Sequence, residues 1–180
     1  MRCAREVPFV MMCLASLVPS TLSAADPCDG FSWDVSHERA LFASSPRQVS
    51  AGRDAASAPQ IEVNRLYQLA LAPLTEVQLR LAPDRKPPAD GTLAGILHLQ
   101  VARAGLYRIA LSEGDWIDVM SAGAVIASQD HVGRPGCSAP HKVVQFAMPA
   151  GVVLIQLSAA ANATVRLTIT SAPVSPAAAR

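Results

Sequence analysis

The 180-residue chain has the length of one domain and carries almost no net charge. Lysine and arginine together number 15, aspartate and glutamate number 14, and aromatic residues make up only 4% of the chain. A chain without a basic excess cannot track a phosphate backbone, and one with few aromatic rings offers no platform for stacked bases. Nucleic acid is therefore a poor candidate for the partner of this protein.

The first 25 residues have the pattern of a secretory signal peptide. Arg2 and Arg5 give a positive start, an uncharged apolar run covers residues 7–18, and small residues at 23–25 suit a signal peptidase. The apolar run of 12 residues is too short for an ordinary transmembrane helix, although a retained anchor is the alternative interpretation. We expect a mature chain that begins at Asp26 or one residue earlier, lies in the periplasm or outside the cell, and has no membrane span.

The cysteine count depends on this processing. Cys3 and Cys13 would leave with the signal peptide, so that Cys28 and Cys137 remain. Two cysteines in an oxidising compartment predict one intramolecular disulfide. A metal-thiolate site is the weaker alternative because neither cysteine belongs to a CxxC pair. The predicted bond would tie the mature amino terminus to the rest of the domain.

Residues 26–60 predict an irregular segment and a flexible loop ahead of the main domain. Trp33 and Val35 alternate like strand residues, whereas the stretch from Ser36 could form a helical turn with Ser36 as its cap. We therefore predict a short helix or an irregular segment there. The stretch 43–59 is rich in Ala, Ser, Pro and Gly, a composition typical of a mobile loop or linker.

From Ile61 onward, short apolar runs alternate with turn residues. Candidate strands are 66–71, 76–81, 93–101, 105–111, 116–120, 124–128, 142–148, 152–158 and 164–170. This spacing is typical of a sandwich or barrel, and no connection between neighbouring strands is long enough for a crossover helix. The sequence therefore predicts an all-β fold, an antiparallel, jelly-roll-like β-sandwich over 61–171, followed by a disordered tail at 172–180.

The strands between about residues 91 and 170 resemble bacterial pre-peptidase C-terminal domains. The likeness is carried by Ala104–Ile109 as an AG-x-Y opening, by Trp116–Val119, by Gly123–Ser128 and by Ala150–Val152. It covers about half of the mature chain. The resemblance implies a jelly-roll-like appendage that helps secreted hydrolases in binding, folding or export. The chain departs from that family because no protease is attached and its third strand has one aspartate instead of alternating acidic residues.

A second resemblance is to a group of short exported proteobacterial proteins that sometimes carry a homogentisate 1,2-dioxygenase label. The matching residues are 28–31, 33–36, Glu38, 116–119 and 133–137. The label implies non-haem iron held by two histidines and a carboxylate. This chain departs from that enzyme because it is short, has a signal peptide and lacks the His-x-His ligand spacing of cupins.

Three histidines are candidate metal ligands. If Cys28 pairs with Cys137, then His37 would come near the loop that carries His131 and His141, with carboxylates in the same segments as oxygen ligands. Such a site would hold iron or zinc. The alternative is that all three histidines are solvated, in which case no cofactor is expected.

Other candidate residues point to binding more than to catalysis. Trp33 and Trp116 could line a sugar- or peptide-binding face, although a tryptophan in a sandwich is more often part of the core. His98 is expected on the surface of a sheet. Asp115 and Asp118 are three residues apart on a strand, point to opposite faces and cannot share a proton. No catalytic residue is predicted.

Two functions remain open at this point. The first is an exported, non-catalytic β-sandwich that binds a partner protein, an envelope component or a carbohydrate. The second is a metal-dependent oxidoreductase like homogentisate 1,2-dioxygenase, with non-haem iron.

Overall fold

A computed structural model describes residues 26–82 and 91–172. The predicted signal peptide and nearly all of the predicted tail at 172–180 lie outside the described residues. In chain order the elements are α1 (Ser36–Phe42), β1 (Arg47–Ser50), β2 (Gln60–Ile61), β3 (Tyr67–Ala70), β4 (Ala72–Pro73), a 3₁₀ turn (Leu74–Glu76), β5 (Leu93–Val101), β6 (Gly105–Leu111), β7 (Trp116–Ser121), β8 (Ala124–Ile126), β9 (Ser128–Gly133), β10 (Lys142–Met148), β11 (Gly151–Ala160) and β12 (Thr164–Ser171).

The strands form two packed sheets, as the sequence predicted for an all-β sandwich. Sheet A has the order β1-β3-β12-β6-β10-β9, and sheet B has the order β2-β5-β11-β7-β8, with β4 also paired to β5. Alternate residues of each strand point between the sheets, so β6 contributes Ile109 and Leu111 to the core and β11 contributes Ile155 and Leu157. All four are completely buried, and each such side chain stabilises the fold by about 1.5–3 kcal/mol.

The prediction of a purely antiparallel sandwich was wrong, because two strand pairs are parallel. Strand β1 runs parallel to β3, and β2 runs parallel to β5. The chain between β1 and β3 passes through sheet B as β2, and the chain between β2 and β5 passes through sheet A as β3. Crossing to the opposite sheet and back returns a strand in the same direction, which is what a crossover helix does in α/β folds.

The N-terminal segment, residues 26–42, packs on the outer face of sheet A. Val35 and Phe42 belong to a second apolar cluster with Ala110 and Val143 of that sheet. The predicted Ser36 cap does not form, because Ser36 is the first residue of α1 and Val35 takes the cap position without a side-chain hydrogen bond. Asp34 Oδ1 accepts a hydrogen bond of 2.9 Å from the backbone N–H of Ser36. The stretch 43–59, predicted as a mobile loop, contains β1 and so contributes a strand to sheet A.

The predicted disulfide is confirmed. The Cys28 and Cys137 sulfur atoms lie 2.05 Å apart, and the bond joins positions separated by 109 residues. It ties the start of the N-terminal segment to the loop between β9 and β10.

A buried ion pair lies beneath the N-terminal segment. Glu38 of α1 and Arg108 of β6 are 3.7 Å apart and almost completely buried. Glu38 also accepts a 2.6 Å hydrogen bond from the Thr170 hydroxyl, while Arg108 donates to the backbone oxygen of Asp34 and lies over the ring of Trp33. Buried charges are tolerated only when paired in this way, and the pair therefore fixes where α1 docks on sheet A.

Two strand predictions near the sheet edges differ from the structure. Residues 76–81 are not a strand: after the 3₁₀ turn, the chain crosses the outer face of sheet B. The predicted strand 124–128 is divided into β8 and the start of β9, which continues to Gly133. The β9 residues Ser128, Gln129 and Asp130 are polar and exposed, so the apolar pattern used for prediction is absent there.

Candidate binding face on sheet B

Within residues 26–82 and 91–172, the outer face of sheet B is covered over only part of its length. A segment that we name the strap, residues 77–82, crosses this part, and Val77 packs there with Ala94 and Ile96. The completely buried side chain of Gln156 fastens the strap: its Oε1 accepts hydrogen bonds from the N–H groups of Arg80 and Leu81. A side-chain amide thus replaces the strand partner that the strap lacks, which explains why its alternating sequence does not form a strand.

Beyond the strap, one row of side chains crosses all five main strands of sheet B. We name it the open row: Gln60, His98, Leu154, Met120 and Val125. The strand registers place Gln60 opposite His98, His98 opposite Leu154, Leu154 opposite Met120, and Met120 opposite Val125. Residues directly opposite each other in paired strands project from the same face. The row therefore changes from polar at the β2 edge to apolar at the β8 edge.

Three residues of the open row, His98, Leu154 and Met120, line a shallow groove of about 560 Å³. The strap, the tip of the β7–β8 hairpin and the turn that joins β10 of sheet A to β11 of sheet B border it. Among the described residues, three large apolar side chains are exposed, and two of them, Val152 at 56% and Val125 at 59%, lie on this face. Val152 lies next to Leu154 on β11 in the groove itself. Single exposed apolar residues are ordinary, but a group of them on one concave face is typical of an interaction site.

The groove has a cationic side. Among the described residues, those that line it include Arg80 and His98 and no aspartate or glutamate. Arg80 is exposed and takes part in none of the five ion pairs formed by the described residues. The face therefore combines apolar contact area with a positive charge that has no counter-ion in the described fold.

Neither a protein-family model nor a curated protein matches this chain.

The three histidines predicted as metal ligands lie in different surroundings. His37 Nε2 is 3.1 Å from Asn64 Oδ1, and His141 Nδ1 is 3.2 Å from the backbone oxygen of Cys137. His131 is exposed on β9, where its neighbour Val132 packs under the N-terminal segment, so His131 points to the opposite side. Within residues 26–82 and 91–172, no three His, Cys, Asp or Glu side chains are grouped so as to hold a metal. The histidine site stays a prediction.

The two tryptophans predicted to line a binding face lie on opposite sheets. Trp33 is half-buried in the N-terminal segment with the Arg108 guanidinium 4.7 Å from its ring centre. Trp116 begins β7, and its Nε1 donates a 3.0 Å hydrogen bond to Asp118 Oδ1. Neither tryptophan lines the groove. His98, expected on a sheet surface, does line it.

Asp115 is a buried carboxyl in the turn just before β7. It is 4% exposed, and its Oδ2 atom is buried without a hydrogen-bond partner. Burial raises the pKa of Asp115 to about 6, with the Lys142 ammonium opposing this effect and the Glu113 carboxylate adding to it. The Lys142 ammonium donates to the backbone oxygen of Asp115, and burial lowers the pKa of Lys142. The fold thus contains a proton-binding group that responds near pH 6.

Asp115 and Asp118 have different surroundings, and Asp115 lies in the turn before β7 instead of on the strand where the sequence placed it. Asp118 accepts hydrogen bonds from Trp116 and from Gln156 Nε2 on the outer face of sheet B. Asp115 lies near Lys142 and His141. Two carboxyls with different neighbours do not form the proton-sharing pair that acid-base catalysis uses.

Sequence reasoning missed the groove, although β11 contains a signal for it. Residues 152–155 are apolar at four successive positions, a pattern typical of a strand covered on both faces. The inward residues Val153 and Ile155 are completely buried, whereas Val152 is exposed and Leu154 is half-buried. Two outward apolar residues without complete cover mark the position of the groove.

No helix among the described residues is long and apolar enough to cross a membrane.

Proposed function

We propose that this chain is an exported, non-catalytic β-sandwich protein that binds a partner protein through the groove on sheet B. The observation that carries the proposal is the position of Val152 and Val125. Both are more than half exposed on one face. Leu154 and the buried Met120 lie between them, because Leu154 is opposite Met120 and Met120 is opposite Val125. Covering this face with a partner would remove apolar area from water, which is the main favourable term in protein association.

The rest of the molecule supports a binding function held on a rigid base. The strands below the groove pack on a completely buried core that includes Val153 and Ile155. The disulfide between Cys28 and Cys137 fastens the opposite side of the sandwich. A preformed, rigid face lowers the ordering cost of association. Export and a resemblance to pre-peptidase C-terminal domains are consistent with a protein that binds outside the cytoplasm.

The first stage of the test identifies the partner in the organism that makes the protein. A photo-crosslinking amino acid is placed at Val125 in the full exported chain and, as a control, at Leu106. Leu106 is the third exposed large apolar residue and lies on β6 of the other sheet. A protein captured from Val125 and not from Leu106 is then purified.

The second stage measures binding of that protein by calorimetry. Val152→Asp places a charge in the lining of the groove, and we expect it to weaken binding at least tenfold, about 1.4 kcal/mol. Leu106→Asp is the matched control, because it makes the same change at an exposed position outside the groove. Equal affinity of the Val152→Asp variant and the unchanged protein would refute the proposal.

A further inference from the structure

We infer that the partner places an extended segment on the groove. One residue of this segment is acidic, and the residues two and four positions from it, toward one end of the segment, are apolar. Either chain direction meets this description. This inference rests on the proposed function and names the kind of segment bound. It combines three observations: the length of the open row, the way in which the strap covers the neighbouring row, and the charge on one side of the groove.

The open row fits five residues of extended chain laid across the strands. His98 on β5 and Val125 on β8 are separated by three strand-to-strand steps, a distance of about 14 Å at roughly 4.8 Å a step. Alternate side chains of an extended chain are about 6.7 Å apart. Three side chains on one side of the segment therefore span the row, with the first above His98, the second near Leu154 and Met120, and the third above Val125.

The strap shows how this face holds a crossing chain. It covers the row next to the open row, which contains Ile96, Gln156 and Asp118. The chain there pairs with no strand of the described fold and bends at Arg80 and Leu81, where the Gln156 amide bonds to its backbone: Oε1 accepts from the two N–H groups and Nε2 donates to the oxygen of Leu81. A partner's chain can lie beside the strap, where Gln60 and Gln100 flank His98 and offer amides of the same kind.

Charge selects the acidic residue and its place. His98 lies on β5, and Gln156 of the neighbouring strand β11 binds the Arg80 backbone beside it. Met120 and Val125 lie farther toward β8. Among the described residues no carboxylate lines the groove and Arg80 forms no ion pair. A carboxylate above His98 would gain a hydrogen bond from the His98 ring and a counter-charge from the Arg80 guanidinium. A lysine in the same place would be repelled by Arg80. Contact between the grooves of two copies is disfavoured, because each groove brings Arg80 and, among its described lining residues, no carboxylate.

The test uses three labelled peptides that differ at one residue. Their central sequences are Glu-Thr-Val-Thr-Leu, Gln-Thr-Val-Thr-Leu and Lys-Thr-Val-Thr-Leu, each flanked by Gly and Ser. Fluorescence anisotropy with the full oxidised protein measures their dissociation constants. We expect the glutamate peptide to bind two- to fivefold more tightly than the glutamine peptide, which is the range for an exposed ion pair, and the lysine peptide to bind most weakly.

Two variants assign the preference to the groove. Arg80→Gln removes the charge while keeping the backbone N–H that Gln156 binds, so we expect the glutamate and glutamine peptides to bind this variant alike. Arg47→Gln is the matched control, because Arg47 is an exposed arginine on β1 of sheet A. It should keep the preference for glutamate.

The outcomes separate this inference from the function on which it rests. If all three peptides bind alike and Val152→Asp weakens all of them, the acidic preference is overturned while binding at the groove stands. If no peptide binds but the captured protein still requires Val152, the extended-segment inference is overturned and the proposed function stands. If Val152→Asp changes neither the binding of the peptides nor that of the captured protein, the inference and the proposed function are both overturned.

Discussion

Replacing Asp115 by asparagine should change how the stability of this protein depends on pH. The Asp115 carboxyl is almost completely buried, and its Oδ2 atom has no hydrogen-bond partner. Burial raises its pKa from 3.8 to about 6, so the folded protein holds this proton more tightly than the unfolded chain does. The free energy of unfolding therefore receives its full contribution from this group below pH 3.8. That contribution is lost as the pH rises toward 6 and beyond.

The size of the effect follows from the two pKa values. A carboxyl whose pKa rises from 3.8 to about 6 changes the free energy of unfolding by about 3 kcal/mol at most between its protonated and ionised limits. Solvent screening reduces this to about 1–2 kcal/mol, because the turn lies at the protein surface, where the neighbouring Gly114 is exposed. Asp115→Asn removes the titration while keeping the shape of the side chain. The variant should gain about 1–2 kcal/mol relative to the unchanged protein between pH 4 and pH 7.5.

Urea unfolding of the oxidised protein, followed by circular dichroism at several pH values, measures this difference. The range ends at pH 7.5 because Lys142 adds a separate effect at higher pH. Its pKa in the folded protein is lowered from 10.5, so the free energy of unfolding rises as the pH increases toward 10.5. Glu113 and His141 also lie near Asp115 and are unchanged in both proteins. Asp130→Asn is the control, since it neutralises an exposed aspartate on β9. A difference between Asp115→Asn and the unchanged protein that stays constant from pH 4 to pH 7.5 would refute the reasoning.

Two further changes test what holds the N-terminal segment. Glu38→Ala leaves Arg108 buried without its partner and should lower the free energy of unfolding by about 3 kcal/mol, measured by urea unfolding; Glu62→Ala, at an exposed ion pair, should change it by less than about 1 kcal/mol. Replacing both Cys28 and Cys137 by serine opens a loop that spans 109 positions and should cost about 4–5 kcal/mol, measured in the same way. A loss below about 1 kcal/mol in either case would contradict the structural role assigned here.

The sequence by itself determined the covalent frame and the fold class. Cys28 and Cys137 are the two cysteines after residue 25, and their even number, together with the predicted export, was enough to pair them. Apolar residues at alternate positions, as in 164–170, identify strands and the face of each strand that is buried. These features are local or depend on a simple count, so they can be read without knowing which strands become neighbours.

The tertiary structure alone decided the sheet pairing and the groove. Residues 76–81 alternate like a strand, yet they cross sheet B because Gln156, some 75 residues away, binds their backbone. Polar β9 became a strand through its pairing with β10. Val125 and Val152 share one face only because β8 and β11 both flank β7. Local pattern fixes which side of a strand is apolar, whereas long-range packing decides which part of that side stays uncovered.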